Sequence, residues 1–367
     1  MFDLPEHVAY LNAAAFSPLP HAVKAAGQLG LLTKATPWTP ALGEVESWAD
    51  RARAHAATLI GAAPEDIALN NAVSYGIATA ARNIPIPPGS RVLMIEGEFP
   101  SLALVWPDLA RAANASLEIV ARPADGDWTP AILAAIERPG APPIGIAALT
   151  PCHWSDGALI DLAAIIPALR RQGAAIVIDA TQAVGVMDID VGKLAPDYLA
   201  FPTYKWVLGP YSTAFLYAAP HRQSGQPLEH HGATRDGDKL RPGARRYDRG
   251  EFRDPIGLPM ATTGLAQVLD WGTAAIAARL RTLTDALADE VADIPGLSAL
   301  PRHLRAPHVL GFRFAEGMPA GLPDRLATHN VFVADRQGVL RVSPHVYNND
   351  DDVRRFGAAM RACLGSV

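Results

Sequence analysis

Cysteine is nearly absent. The 367-residue chain holds two, Cys152 and Cys363. Thiols so far apart make no disulfide framework. The neighbouring His230 and His231 offer no metal site either, because adjacent side chains diverge and no Cys or carboxylate stands at ligand spacing. No long block of one charge is present, and the net charge is −5, so nucleic acid is not an expected partner. No apolar run approaches the length of a membrane span. The first residues, MFDLPEHVAYLN, are acidic and lack an apolar signal core. These absences together lead us to expect a soluble, cytoplasmic protein. No GxGxxG follows a strand pattern, which excludes a dinucleotide-binding start. Val191-Gly192-Lys193-Leu194 is not a phosphate loop, because the upstream glycine and the Ser/Thr are missing.

Apolar residues, by contrast, make up 49% of the chain, enough for a sizeable core. The length suits one large domain and a smaller one. Apolar runs at 67–69, 91–95, 117–121, 144–149, 174–178 and 198–201 read as strands. Helical patterns cover 21–33, 43–60, 77–83, 101–113, 130–137 and 159–171. This alternation predicts βαβ units and a mostly parallel sheet. Residues 221–254 are rich in Gly, Arg and His, which reads as a long functional loop. Apolar residues then recur at helical spacing over 262–294, as one long helix or a kinked pair. Strands at 309–314, 331–333 and 339–342 and a helix at 350–363 suggest a small α+β unit.

Chemistry concentrates between residues 174 and 217. Asp179 ends a buried-strand pattern, and open α/β sheets place ligands outside the carboxyl ends of their strands. Gln182 follows at once. The strand at 198–201 leads into Pro-Thr-Tyr-Lys-Trp, which sets Lys205 between two aromatic residues. Desolvation there disfavours the ammonium, as a Schiff-base lysine requires. Asn70 to Gly76 links a strand to a helix start, whose free N–H groups suit a phosphate.

With Asp179, Gln182 and Lys205 in this order on two successive strand ends, the stretch resembles the core of pyridoxal-phosphate (PLP) enzymes of fold type I, in the class V aminotransferase superfamily. That superfamily also holds cysteine desulfurases, kynureninase and isopenicillin N epimerase. The resemblance implies an α/β fold with a mostly parallel seven-stranded sheet between helices and a small C-terminal α+β domain. It divides the chain into an N-terminal segment (1–17) near the site, a large PLP-binding domain (18–255), and a linking helix with the small domain (256–367). It implies that Lys205 carries pyridoxal 5′-phosphate as a Schiff base. Asp179 pairs with the ring nitrogen, and Gln182 reaches the ring hydroxyl. Val73 and Ser74 fall on the phosphate turn. Phe99 stands where desulfurases carry a stacking histidine. Thr203, Tyr204 and His153 complete the cofactor set, Tyr204 as a phosphate ligand.

Leu340-Arg341-Val342-Ser343-Pro344, followed by Tyr347-Asn348, resembles the superfamily's C-terminal signature, in which the arginine forks onto the substrate α-carboxylate. Asn12, in the N-terminal segment, and Arg253, in the long loop, are the other expected substrate-side residues. Arg253 is expected at the interface of a homodimer, toward the partner's phosphate. The expected substrate is an amino acid. Transamination is the broadest expectation for the reaction. A kynureninase-like or β-eliminating lyase comes next, encouraged by Phe99 and Tyr204, and epimerisation after it. A desulfurase needs a mobile cysteine ahead of the C-terminal arginine, and no cysteine lies between Cys152 and Arg341. A catalytically silent scaffold of the same fold would not need to keep Asp179, Lys205 and Arg341 together.

Overall fold

The computed structural model describes residues 1–365. Seven strands form its main sheet: β1 (Ile67–Asn70), β2 (Arg91–Ile95), β3 (Ser116–Val120), β4 (Ile144–Leu149), β5 (Ala175–Asp179), β6 (Tyr198–Pro202) and β7 (Ala214–Ala218). Their order across the sheet is β1-β7-β6-β5-β4-β2-β3. Four neighbouring pairs are parallel, and β7 runs antiparallel to both β6 and β1.

Strand periodicity sorts the apolar side chains onto two faces. Leu93, Ile95, Ile176, Ile178, Leu199 and Phe201 pack on one face, among the Leu42–Ile60, Trp128–Ile136 and Leu162–Arg171 helices. Val92, Met94, Ala175, Val177, Tyr198 and Ala200 pack on the other, against Val73–Asn83 and Trp106–Ala112. Both faces are covered, so the strands read as continuous apolar runs. Each fully buried Leu, Ile or Phe contributes roughly 1.5–3 kcal/mol.

A second sheet has four antiparallel strands: β8 (Leu297–Ala299), β9 (Leu310–Phe314), β10 (Ala334–Arg336) and β11 (Val339–Val342), in the order β8-β9-β11-β10. Its apolar face meets the Thr273–Glu290 and Asp350–Leu364 helices. The N-terminal segment joins this region, where Ala9–Tyr10 pairs in parallel with Val331–Phe332.

Several expectations are corrected. Residues 331–332 pair with the N-terminal segment, outside the second sheet. Strands β7, β8 and β10 were not anticipated. The helix expected over 101–113 is two, Pro100–Ala103 and Trp106–Ala112, the second restarting with Pro107, which has no N–H to continue the first. The helix after β1 begins at Val73, a full turn earlier than its apolar pattern suggests. The long pattern over 262–294 is a kinked pair, Gly257–Trp271 and Thr273–Glu290, joined at Gly272 with φ +78°.

Candidate active site

The loops that leave the carboxyl ends of β2, β4, β5 and β6 converge on one cavity. It is lined by Glu98, Phe99, Thr150, Trp154, Asp179, Thr181, Gln182 and Lys205. The sheet order explains the convergence: β2, β4, β5 and β6 are consecutive parallel neighbours, so their ends share one edge.

Lys205 follows β6 and is 6% exposed. Its Nζ lies 5.8 Å from the Phe99 ring centroid and 5.5 Å from that of Tyr204. Burial pulls its ammonium down to about 7, and the positive charge of Arg341 adds to the fall, while Asp179 opposes it. Asp179 ends β5, where its Oδ1 accepts the Thr181 N–H at 2.8 Å. No ion pair holds its charge among the described residues, and burial raises its pKa. A buried carboxylate with one neutral donor is suited to a cationic ligand group.

Gln182 is oriented from both sides. Its Oε1 accepts the indole N–H of Trp206 at 2.8 Å, and its Nε2 donates to Ala14 O at 3.2 Å. One amide hydrogen is left for a ligand. The Val73–Asn83 helix has Ala72 at its cap, with no side-chain capping bond. Its first amides, at Val73 and Ser74, therefore remain open to an anion.

Arg341 lies on β11 and is 2% exposed. Nη1 donates to Trp154 O at 2.9 Å, and Nη2 reaches Asn12 Oδ1 at 3.5 Å. Burial pulls it down to about 9, with Arg336 contributing. It is no surface ion pair. The Tyr-Asn that follows it has a structural use: Asn348 Nδ2 donates to Tyr10 O at 3.2 Å and to Asp352 Oδ2 at 2.9 Å, tying the N-terminal strand to the last helix.

Of the expected residues that do not line the cavity, His153, Thr203 and Arg253 are taken up by other contacts. His153 lies behind it, stacked on Trp128 at 5.7 Å and held by Arg122 and Ser155. Burial lowers its imidazole to about 4, so it is neutral. Its neighbour Trp154 takes the lining position instead. The Thr203 hydroxyl donates to Pro210 O at 2.7 Å and braces the turn after the lysine. Arg253 pairs with Glu46 at 3.2 Å in a separate surface cleft with Arg53 and Asp248. Tyr204 stacks on Tyr211 at 4.2 Å, beside the lysine.

Four lining residues escaped the sequence: Thr150, Thr181, Trp154 and Glu98. Trp154 donates its indole N–H to Gly97 O at 2.8 Å and meets Phe99 edge-on at 5.3 Å. Glu98 accepts the Phe99 N–H through Oε1 at 2.7 Å, while its Oε2 is buried without a partner. Burial pushes its carboxyl up to about 8, and Asp179 pushes in the same direction. The only available sequence signal was an acidic residue just after a strand end, which reads equally well as a turn.

Known proteins share this fold. The family model "Aminotransferase class-V" matches residues 9–356. Isopenicillin N epimerase of Streptomyces clavuligerus is 26% identical, over 98% of this chain and 95% of that protein. The uncharacterized aminotransferase YcbU of Bacillus subtilis is 25% identical, over 88% of this chain and 85% of that protein. Among solved structures, the cysteine desulfurase CsdA of Escherichia coli superposes with a TM-score of 0.87 at 20% identity, covering 99% of this chain and 96% of that one. A family match over nearly the whole chain, with a buried lysine and aspartate at adjacent strand ends, makes this protein a member of the class-V aminotransferase family, with pyridoxal 5′-phosphate as its cofactor.

Proposed function

We propose that the protein is an aminotransferase acting on an α-amino acid, with Lys205 as the group that moves the proton. One observation carries this reading. Lys205 is the only basic side chain among the cavity-lining residues, and its burial brings the free amine within reach of neutral pH. The bound cofactor supplies an electrophilic carbonyl and an electron-accepting ring. Lys205 would hold it, and its freed amine would take the proton from the substrate Cα, a proton that transamination does not return to that carbon in the same half-reaction. Asp179 keeps the ring nitrogen protonated, and Gln182 donates to the ring hydroxyl. The amides of Val73 and Ser74, with the hydroxyls of Ser74 and Tyr204, receive the phosphate. Phe99 would offer the ring an aromatic face that carries no proton. Arg341 forks onto the α-carboxylate, and Asn12 holds that guanidinium.

Sulfur transfer is disfavoured. Cys152 and Cys363 are both buried, and burial pushes the Cys152 thiol far up. Epimerisation is the second reading, because Glu98 gives the cavity another group able to hold a proton. The same proposal takes the enzyme as a homodimer, with Arg253 serving the partner's site. The exposed apolar side chains Leu29, Leu31, Leu32 and Trp38 support it.

The test is nitrogen transfer. The PLP-loaded protein is incubated with nitrogen-15-labelled L-amino acids and a 2-oxo acid. Label in a new amino acid is expected, and Lys205→Ala should abolish it. Appearance of the D-isomer without transfer would replace this reading by epimerisation, and ammonia with substrate fragments would replace it by a lyase.

A further inference from the structure

Arg341 is not the only guanidinium on its face of the second sheet. In the β10–β11 hairpin, Ala334 stands opposite Arg341 and Arg336 opposite Val339. Residues directly opposite, and residues two apart, share a face, so Arg336 and Arg341 project to the same side. They are diagonal neighbours, with backbones roughly 7–8 Å apart. The other face carries Leu340 and Val342 into the apolar core. The arginine face looks toward the loops of the main sheet. Gly311, which pairs with Arg341 from β9, packs so close to Asp156 that a Cβ there would sit 2.6 Å from the Asp156 Cα.

The tip of the hairpin is fastened over the cavity. Gln337 Nε2 donates to Gly97 O at 3.2 Å, the carbonyl that also receives the Trp154 indole. Arg336, next to Gln337 in the chain, is half-buried on the same side of the hairpin as Arg341. Nη1 of Arg336 donates to the backbone oxygen of Asp335 at 2.7 Å. Among the described residues, no carboxylate pairs with Arg336 or with Arg341. Both guanidiniums act on the site's electrostatics: Arg341, and more weakly Arg336, disfavour the Lys205 ammonium. One α-carboxylate can satisfy one of them.

We propose that the substrate is a dicarboxylic amino acid, its side-chain carboxylate held by Arg336 while Arg341 holds the α-carboxylate. This rests on the reading that Lys205 processes an amino acid. A planar guanidinium at the hairpin edge takes a second carboxylate as a two-pronged, charge-assisted pair.

Two measurements test the assignment. Calorimetry first compares glutarate with butyrate on the PLP-loaded protein, which reads the two-arginine site whatever the reaction. Glutarate should bind at least about tenfold more tightly, the range of one charge-assisted bond. Arg336→Gln should erase that preference, Arg336→Lys should keep part of it, and Arg341→Gln should weaken both ligands. Turnover is then compared for L-glutamate and L-aspartate against L-glutamine and L-asparagine. A kcat/KM ratio favouring the acids, and falling about 10–100-fold in Arg336→Gln, is expected. Equal binding of glutarate and butyrate, or a preference that survives Arg336→Gln, overturns the proposal. Turnover of amides as fast as of acids overturns it too, while leaving the aminotransferase reading intact. A glutarate preference lost in Arg336→Gln, with acidic amino acids consumed but no amino group transferred, overturns the aminotransferase reading and leaves the proposal intact.

Discussion

A carboxyl sealed beside Phe99, Trp154 and Asp179 pays to ionise, and Glu98 shows the consequence. Its folded-state pKa is about 8, against an ordinary 4.5. Between those values the folded chain keeps a proton that the unfolded chain has released. Stability linked to Glu98 is therefore fully present below about 4.5 and is lost as pH rises through about 8. Glu98→Gln copies the protonated form and removes this dependence. Melting curves of the two proteins should diverge with pH, the variant gaining by several degrees between about pH 5 and pH 9. A difference that stays constant over that range would place the Glu98 proton elsewhere. Lys205 shifts in the opposite sense, from 10.5 to about 7. Its linked stability rises over that window, so Lys205→Met should help most near neutral pH and least above about 10.5. Matching melting curves across that window would mean that Lys205 is not desolvated.

At the scale of elements, the lysine turn is held from below. The Gly257–Trp271 helix passes so close that a Cβ on Gly264 would lie 2.6 Å from Val207 O. Gly264→Ala forces the helix or the 207–209 backbone to move. It should cost about 1–3 kcal/mol in denaturant unfolding, with weaker cofactor retention. An unchanged midpoint would show that the turn yields freely.

Such contacts mark the limit of what the chain discloses. The placement of Asp179, Gln182, Lys205 and Arg341 is readable because each sits on or just after a strand whose apolar run is local. The open amides of Val73 and Ser74 lie in the stretch that reads as a link from strand to helix, although the apolar pattern puts the helix start one turn later, at Ile77. Glu98 and Trp154 were not legible, since the contacts around them join loops distant in sequence, with Trp154 and Gln337 both donating to Gly97 O. Strand β7 carries an apolar run as clear as its neighbours, but periodicity does not reveal that it inserts antiparallel between β1 and β6. His153 misled for the opposite reason. A loop histidine among polar residues looks like a ligand, whereas Trp128, Arg122 and Ser155 already use its ring.

For the whole molecule, two sheets meet at one site: the main sheet brings Lys205, Asp179 and Gln182, and the second brings Arg341. The N-terminal segment clasps both, through Ala14 O on Gln182 and Asn12 on Arg341. No helix of the described residues is long and apolar enough to cross a membrane. Every role assigned to the site follows from Lys205 being the residue that carries the cofactor. The decisive measurement is borohydride reduction of the PLP-loaded protein, followed by peptide mass spectrometry. It should place one pyridoxyl group on the peptide containing Lys205 and none on the Lys205→Ala protein. A label on another lysine, or none on the wild-type chain, would contradict it.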